Sequence, residues 1–406
     1  MKRILFALMT IAATISCEKA AVDEPATTER KDIVLTRAEQ EILTSGGEFS
    51  FNLLKEMYKS DEQLFLSPLS AQAALMMVAN GASGETYEQI VKTIGYEKYS
   101  TEELNSMYRK IVEGLTEVDT STDFEMANSI WTAKGMDVNK TFQELLEENY
   151  NAESGDVDFH SQSEIDRINK WCDDKTHGMV PSIIDGPNRN LKLLILNALY
   201  FKGQWSHKFD KNNTSKGTFK SLSGEEVQLD FMRQTEKFSY SVNEEFQLCS
   251  LPFGNKGFCM DILLPCNNVD FIDFINHLDY KKFSVNLGML QTSELMLSIP
   301  KLKFDYECQL SDVLKKMGMS MPFSPEADFC NINNKEDLTI SEVKQKAAFE
   351  MDEEGAKAAA VTSVGMTNGV GPAPSVIFFA DRPFVFTIRE TSTNAILFLG
   401  TYTGEK

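Results

Sequence analysis

The feature that most restricts the fold is an apolar segment near the middle of the chain. Residues 191–205 read LKLLILNALYFKGQW, a continuous apolar run that ends at Gly203. The run lacks the regular alternation of a half-buried strand, and this is typical of a strand whose two faces are both buried. The sequence therefore predicts a central strand in a sheet that is covered on both sides.

Helical and strand patterns divide the chain unevenly. Mixed spacings of three and four predict an amphipathic helix over residues 47–58. Ser67 or Ser70 can cap a second helix over 71–79, which is nearly all apolar and hence buried on all sides. Strand patterns come later, at 295–299, 342–351, 384–388 and 396–399. This order, without regular βαβ alternation, indicates an α+β fold with one large domain over residues 45–406.

The charge balance excludes several classes of function. The 406 residues include 40 Lys and Arg against 60 Asp and Glu, a formal net charge of −20. Clustered cations are what bind phosphate backbones and anionic membranes, so we expect no nucleic-acid partner and no membrane contact except through an N-terminal lipid. Only four histidines occur, and none stands at metal-motif spacing from another, so we expect no metal and no cofactor.

Catalytic signatures are missing as well. No GxSxG elbow, P-loop, HExxH, CxxC pair or dinucleotide fingerprint occurs. Two acidic groups, at residues 173–174 and 352–354, could suggest a carboxylate pair or a calcium site. The simpler interpretation of each is the solvated end of a helix or strand. We therefore expect the protein not to be an enzyme.

The N-terminus has the pattern of an exported protein. Lys2 and Arg3 precede a short apolar stretch, and a small residue stands directly before Cys17. This predicts a signal peptide over residues 1–16. The cysteine resembles the lipidated first residue of a mature bacterial lipoprotein, and residues 17–44 then form the lipidated cysteine and a polar tether. We expect a location at the cell envelope, lipid-anchored, or else secretion.

The remaining cysteines are interpreted as buried free thiols, since Cys is among the most buried residue types. They are Cys172, Cys249, Cys259, Cys266, Cys308 and Cys330. Their density is not that of a disulfide scaffold. A hairpin turn at residues 255–256 would place Cys249 opposite Ile262, so that it misses Cys259.

Residues 350–383 read EMDEEGAKAAAVTSVGMTNGVGPAPSVIFFADRP. Helix propensity alone favours a helix for the alanines after Gly355. If the segment is instead extended, alternate side chains share a face, and one of its two faces is uncharged and could enter a sheet. That face holds Ala356, Ala358, Ala360, Thr362 and Val364. The stretch rich in Gly, Asn and Pro at 365–374 predicts an exposed loop. Composition alone leaves open whether the segment before this loop is a helix or an extended strand.

Five blocks of sequence, in order, resemble the serpins. They are LFLSPLS with ALMMVANGASGET at 64–86, NALYFKGQW at 197–205, SDVLKKMGM at 311–319, EEGAKAAA at 353–360 and DRPFVFTIRETSTNAILFLGTY at 381–402. Together they span roughly residues 47–404. The chain is therefore similar to the serpin family of serine protease inhibitors, in the form of a bacterial exported lipoprotein.

The resemblance implies three β-sheets, about nine helices and an exposed reactive-centre loop at about 355–380. In the family, a protease attacks this loop and forms an acyl-enzyme. The cut loop then inserts into the central sheet and traps the protease. The hinge of this movement maps onto Glu353, Glu354, Gly355, Ala356, Ala358 and Ala360. Because no charge need be buried on the inward face, we expect an inhibitory serpin.

The family's central sheet opens at two places, the shutter and the breach. The shutter maps onto Ser67, Pro68, Ser70 and Asn197, and the breach onto Gly203 and Trp205. Gln345 stands where many members carry a shutter histidine. We expect its amide to bond within the shutter, and we expect no pH dependence of the kind that an imidazole confers.

The bond that is attacked is not fixed by the family's spacing. Counting forward from Gly355 by the family's usual hinge length places the scissile residue at Gly369. Counting back from Pro383 by the usual length places it at Pro372. The candidates are Met366, Thr367, Asn368, Gly369 and Val370. No Arg or Lys lies at 361–374, so the expected targets have small or apolar primary pockets. Elastase-, chymotrypsin-, subtilisin- and papain-like enzymes are of this kind.

Two functions remain open at this point. The first is inhibition of a serine or cysteine protease of a host or a competing microbe by a monomeric envelope protein. The alternative is a non-inhibitory serpin-fold protein that carries a ligand and releases it on cleavage. The small uncharged face of the hinge favours the inhibitor.

Overall fold

Nine helices occur in the part of the chain that the structure describes. This computed structural model describes residues 28–58, 63–335, 337–356 and 376–404. The helices are α1 Arg37–Met57, α2 Pro68–Gly81, α3 Gly84–Thr93, α4 Thr101–Glu117, α5 Lys140–Tyr150, α6 Gln162–Lys175, α7 Phe271–His277, α8 Tyr280–Gly288 and α9 Ser311–Lys316. Short 3₁₀ turns lie at Lys211–Asn213 and Met321–Phe323. None of the helices in these ranges has the length and apolar character that crossing a membrane requires.

Fourteen strands form three sheets in the described residues. They are β1 Phe65–Leu66, β2 Asp123–Ala133, β3 Ala152–Val157, β4 Leu193–Lys202, β5 Ser215–Lys220, β6 Glu226–Val242, β7 Phe246–Phe253, β8 Phe258–Pro265, β9 Gln291–Pro300, β10 Leu302–Gln309, β11 Lys344–Met351, β12 Val376–Phe379, β13 Phe384–Glu390 and β14 Ile396–Tyr402. The largest sheet has the order β1-β14-β13-β8-β7-β6-β9-β12, with β5 paired to β6. The other two sheets are β3-β2-β4 and β10-β11. The α+β class with three sheets is confirmed.

Local sequence patterns account for the elements around the later site. The Ser67 hydroxyl caps α2 by accepting a hydrogen bond from the Ser70 N–H, and Pro68 lies in the first turn, where no N–H donor is needed. Most side chains of α2 are buried, as its nearly all-apolar sequence predicts. In β11 every second residue is buried, as its alternation predicts. The two terminal strands are also confirmed, as β13 and β14.

The prediction for β4 is wrong in one respect. The strand exists, but among the described residues it lies at the edge of its three-stranded sheet, with β2 as its hydrogen-bonded neighbour. Leu196, Ala198 and Tyr200 are buried, whereas Ile195 and Leu199 are partly exposed. A continuous apolar run indicates that both faces of a strand can be buried. It does not indicate whether the strand has a hydrogen-bonded neighbour on each side.

An aromatic cluster holds the two-stranded sheet against the largest sheet. The Phe65 ring stacks on Phe398 of β14, with centroids 5.0 Å apart, and on Phe304 of β10 at 5.3 Å. It also contacts the rings of Phe349 in β11 and Phe386 in β13. Aromatic rings bury large apolar areas, so this cluster fixes the position of β11.

The folded domain begins earlier than a tether ending at residue 44 would allow. Thr36 and Glu39 form a capping box at the start of α1. Further upstream, the Thr28 hydroxyl donates to the buried carboxylate of Asp119 at 3.0 Å. The side chain of Ile33 occupies the space above Gly114 in α4. Residues 28–44 are therefore part of the domain, and the signal peptide and Cys17 lie outside the described residues.

The cysteines in the described ranges are all free thiols. Cys249 lies opposite Ile262 in the β7–β8 hairpin, so the predicted register is confirmed. Burial holds for four of the six, but Cys266 is partly exposed and Cys330 is exposed. The general tendency of cysteine to be buried did not separate these two from the others.

Candidate functional site

A gap between two strand edges is the main feature of the candidate site. In the described residues, β2 is the hydrogen-bonded neighbour of β4 and β10 is that of β11, so each strand has one edge without a ladder. We call the space between these edges the strand slot. Residues of both strands and of α2 line a cavity of about 210 Å³ at this place, among them Ile195, Gln345 and Leu75.

The hinge forms a turn at the end of the strand slot. β11 ends at Met351, and the backbones of Asp352 and Gly355 exchange two hydrogen bonds, of 2.9 and 3.2 Å. The chain thereby reverses, and Ala356 forms an antiparallel bridge with Met351. Its N–H donates to the Gly203 carbonyl at 2.8 Å. Ala356 is 1% exposed, so the first inward residue of the hinge already lies between the two strands.

Gly355 is the residue that makes this turn possible. Its φ of +146° is one that residues with a side chain rarely adopt. A Cβ atom at this position would lie 2.1 Å from the Gly203 carbonyl oxygen and 2.7 Å from the Gln204 Cα. Both of these atoms belong to the backbone and cannot rotate away. The hinge sequence thus requires glycine here for both conformation and space.

The two acids of the hinge are buried and ion-paired, so the interpretation of residues 352–354 as a solvated strand end is wrong. The Glu353 carboxylate contacts the Lys301 Nζ at 2.8 Å and accepts a hydrogen bond from Thr214 at 2.7 Å. Burial by itself would raise the pKa of Glu353, but these hydrogen bonds outweigh it and hold the pKa below its usual value.

Glu354 is held in the same way by different bases. Its carboxylate contacts the Nζ atoms of Lys208 at 3.0 Å and Lys211 at 3.3 Å. The three lysines that pair with the hinge come from segments far away along the chain. No local pattern marks them in the sequence, and sequence reasoning missed all three.

The breach residues surround the hinge turn. The Trp205 indole N–H donates to the Asp352 carbonyl at 2.9 Å, and its backbone N–H donates to the Glu354 carbonyl. Its ring stacks on Phe253, with centroids 4.4 Å apart. A Cβ on Gly203 would come within 3.1 Å of the Phe253 ring, so glycine allows this close packing. Trp205 therefore reports directly on the position of the hinge.

The shutter residues meet at the other end of the cavity. The Gln345 side chain forms two hydrogen bonds with the Ser67 backbone, accepting from its N–H at 2.9 Å and donating to its carbonyl at 2.8 Å. The Ser67 hydroxyl donates to the Leu397 carbonyl at 2.9 Å. Together these bonds join β11, the start of α2 and β14. Ser70 and Asn197 line the same cavity.

Asn197 differs from the other shutter residues because its hydrogen bonding is incomplete. Its Nδ2 donates to Asn128 at 2.7 Å, but its buried Oδ1 has no partner among the described residues. Behind Asn128 a buried polar chain continues through Tyr108, Tyr150 and Asn105. These residues were missed from the sequence. A buried acceptor without a donor is costly, so Asn197 can gain a hydrogen bond from a group that enters the strand slot.

The rest of the predicted loop lies outside the described residues. This applies to Ala358 and Ala360 of the hinge, and to the reactive-bond candidates Met366, Thr367, Asn368, Gly369 and Val370. The next described residue is Val376, the first residue of β12.

Comparisons with known proteins agree with the fold. The family model described as Serpin (serine protease inhibitor) matches residues 44–404. Iripin-5 of Ixodes ricinus is 31% identical over 376 residues, which covers 91% of this chain and 96% of that protein. The native-state structure of the thermophilic serpin Tengpin has a TM-score of 0.84 at 28% identity, covering 92% of this chain and 96% of Tengpin.

Thyroxine-binding globulin in complex with thyroxine is also similar. Its TM-score is 0.82 at 25% identity, and the match covers 90% of this chain and all of that chain. The protein belongs to the serpin family. Members of this family are generally protease inhibitors and not catalytic enzymes.

Proposed function

We propose that this serpin inhibits serine endopeptidases, and papain-like cysteine endopeptidases, as a suicide substrate. The protease nucleophile attacks a carbonyl carbon of the loop, the peptide bond breaks, and the departing amine takes up a proton. The loop carries the acyl-enzyme while it inserts between β4 and β11. Insertion distorts the protease before water can release it.

The observation that carries this proposal is the position of Ala356. Its bridge to Met351 and its N–H bond to the Gly203 carbonyl already join the ends of the two strands, and a strand that continued from it would complete both ladders. Each net backbone hydrogen bond contributes roughly 0.5–1.5 kcal/mol, so about ten new bonds supply a large driving force. The mode is strand addition to an exposed sheet edge.

The two bridges also set the register of insertion. Gly355 pairs with Gln204, and Ala356 pairs with Met351, both antiparallel. Each further residue of the loop then pairs one residue earlier on β4 and on β11. Continued to Thr362, this register puts that residue beside Asn197 on one strand and Gln345 on the other. A threonine hydroxyl is the donor that the unpartnered Asn197 Oδ1 lacks.

The sequence of the loop indicates which proteases are inhibited. The span from Met366 to Val370 offers small and apolar residues, and no cation lies at 361–374. We expect elastase-like, chymotrypsin-like or subtilisin-like targets, or papain-like ones. A trypsin-like pocket, which binds Arg or Lys, has nothing to bind here.

The N-terminal sequence supports a proposed location. A signal peptide at 1–16 and lipidation of Cys17 would attach a monomeric inhibitor to the cell envelope, where it meets proteases of a host or of a competing microbe. Metabolic labelling with a radioactive fatty acid tests this. Label on the wild type that is absent from Cys17→Ala supports anchoring, and equal label on both excludes it.

Incubation with elastase followed by a denaturing gel tests the inhibitory mechanism. We expect a covalent band near the summed masses of the two proteins, and a cleaved form with a much higher melting temperature than the intact form. For Ala356→Arg we expect cleavage without a complex, because the side chain at this buried position would carry an unpaired charge into the sheet. An unchanged complex with this variant would contradict the mechanism.

The alternative is a carrier that binds a ligand and releases it when the loop is cut. The similarity to thyroxine-binding globulin supports this alternative, since that protein is described in complex with a small molecule. Clean cleavage by every protease class, with no covalent band, would favour the carrier.

A further inference from the structure

The outward face of the β9–β12 pair is apolar where an edge strand is usually polar. Ile377 lies opposite Met296 in the parallel register, and Phe379 projects from the same face two residues later. These side chains are 57%, 38% and 39% exposed. On the inward face, Leu297 and Phe378 are completely buried. We call Met296, Ile377 and Phe379 the sheet-edge patch.

Fold stability does not account for the sheet-edge patch. The inward residues of β12 already anchor the strand, with Phe378 against the Tyr240 ring at 6.4 Å between centroids. Folded proteins usually protect an edge strand with charged side chains, because bare apolar edges associate with other molecules. β12 carries no charge, and in the described residues β9 is its hydrogen-bonded neighbour. Contiguous exposed apolar side chains of this kind mark interaction sites.

The position of the patch along the chain identifies its partner. β12 begins at Val376, directly after the segment that carries the reactive-bond candidates. From Val370 to Ile377 is at most about 25 Å of extended chain, and from Met366 it is at most about 40 Å. A protease of about 220 residues is roughly 45 Å across. A protease that holds one of these bonds therefore reaches the patch.

We propose that the sheet-edge patch is a docking surface for the protease that has engaged the loop. The patch would contact an apolar area on the protease, beside the protease groove that binds the loop residues after the scissile bond. The polar neighbours Thr235 and Lys237 on β6, opposite Met296 and Glu294, provide the rim around this apolar contact. This inference rests on the proposed function and adds a specificity surface separate from the loop.

Binding to an elastase whose catalytic serine is replaced by alanine tests docking without chemistry. The double variant Ile377→Ser/Phe379→Ser removes most of the patch. The matched control is Met289→Ser, which removes an apolar side chain, 55% exposed, at the end of α8. Circular dichroism establishes that both variants are folded.

We expect the double variant to bind inactive elastase about 10- to 100-fold more weakly than wild type, and to associate with active elastase more slowly by a similar factor. The control should match wild type. Equal affinity of wild type and the double variant would overturn the docking proposal. A wild-type dimer in light scattering that the double variant lacks would also overturn it, because the patch would then bind a second copy.

The same experiment separates this proposal from the proposed function. If wild type forms no covalent complex with active elastase and yet binds the inactive enzyme through the patch, docking stands and inhibition is wrong. If wild type forms the covalent complex and the double variant binds as tightly, inhibition stands and docking is wrong.

Discussion

Replacing Gly355 by alanine should disable the hinge without changing the reactive-bond candidates. The added Cβ would lie 2.1 Å from the Gly203 carbonyl oxygen, well inside van der Waals contact. The φ of +146° adds conformational strain for any residue with a side chain. The turn from Asp352 to Gly355 therefore has to open, and Ala356 must leave the position that begins insertion.

The size of the effect follows from the interactions that this turn holds. Opening the turn relieves the backbone strain but breaks the two hydrogen bonds between the backbones of Asp352 and Gly355. It also breaks the Ala356 N–H bond to Gly203 and the Trp205 N–H bond to Glu354. At about 0.75 kcal/mol for each of the four bonds, the total is about 3 kcal/mol. If this free energy adds to the barrier for the first step of insertion, the rate of that step falls by about 150-fold, since each 1.4 kcal/mol is a factor of ten.

Two assays measure this prediction. The number of inhibitor molecules consumed per protease molecule inactivated should rise strongly, because slow insertion lets the acyl-enzyme hydrolyse. The native form should also unfold several degrees lower, with a changed Trp205 fluorescence. Gly224→Ala is the matched control, since φ is +87° there and no atom lies within 4 Å of the added Cβ. If Gly355→Ala behaves like this control in both assays, the role assigned to the turn is wrong.

Three further predictions follow from buried polar groups and thiols. Glu353→Gln should destabilise the native form at neutral pH, because the Lys301 ion pair is lost. As pH falls below the ordinary carboxyl value of 4.5 and through the lowered native pKa, wild type loses this stabilisation and its melting temperature should approach that of the variant. Thr362→Val should lower the melting temperature of the cleaved form and leave the intact form unchanged, because Asn197 would stay without a donor. Iodoacetamide with mass spectrometry should label Cys330 first, because it is exposed.

Each of these predictions has an outcome that would contradict it. The Glu353 effect should exceed that of Glu350→Gln, whose pair with Lys303 is exposed and 3.7 Å long. For Thr362, equal melting of the cleaved wild type and variant would exclude the proposed register. Early labelling of Cys172 or Cys308 would be unexpected, because burial raises their pKa values to about 11 and about 12.

Sequence patterns were reliable where burial is decided within one element. The alternation in β11 and the capped apolar helix α2 appear as predicted, because period and cap are local properties. The β7–β8 register also followed from a turn and its neighbours. The tether boundary was wrong, because the capping box at Thr36 and Glu39 was not recognised in a polar segment.

The candidate site divides in the same way. The sequence by itself determined the small uncharged face that begins at Ala356, and the glycine before it that allows the chain to reverse. Only the tertiary structure decided that Glu353 and Glu354 are buried against lysines, and that β4 and β11 each keep one edge without a ladder within the ranges that the structure describes. The physical reason is distance along the chain. Glu353 lies about fifty residues from Lys301, and β4 about 150 from β11, so these contacts depend on how whole elements pack and leave no local pattern.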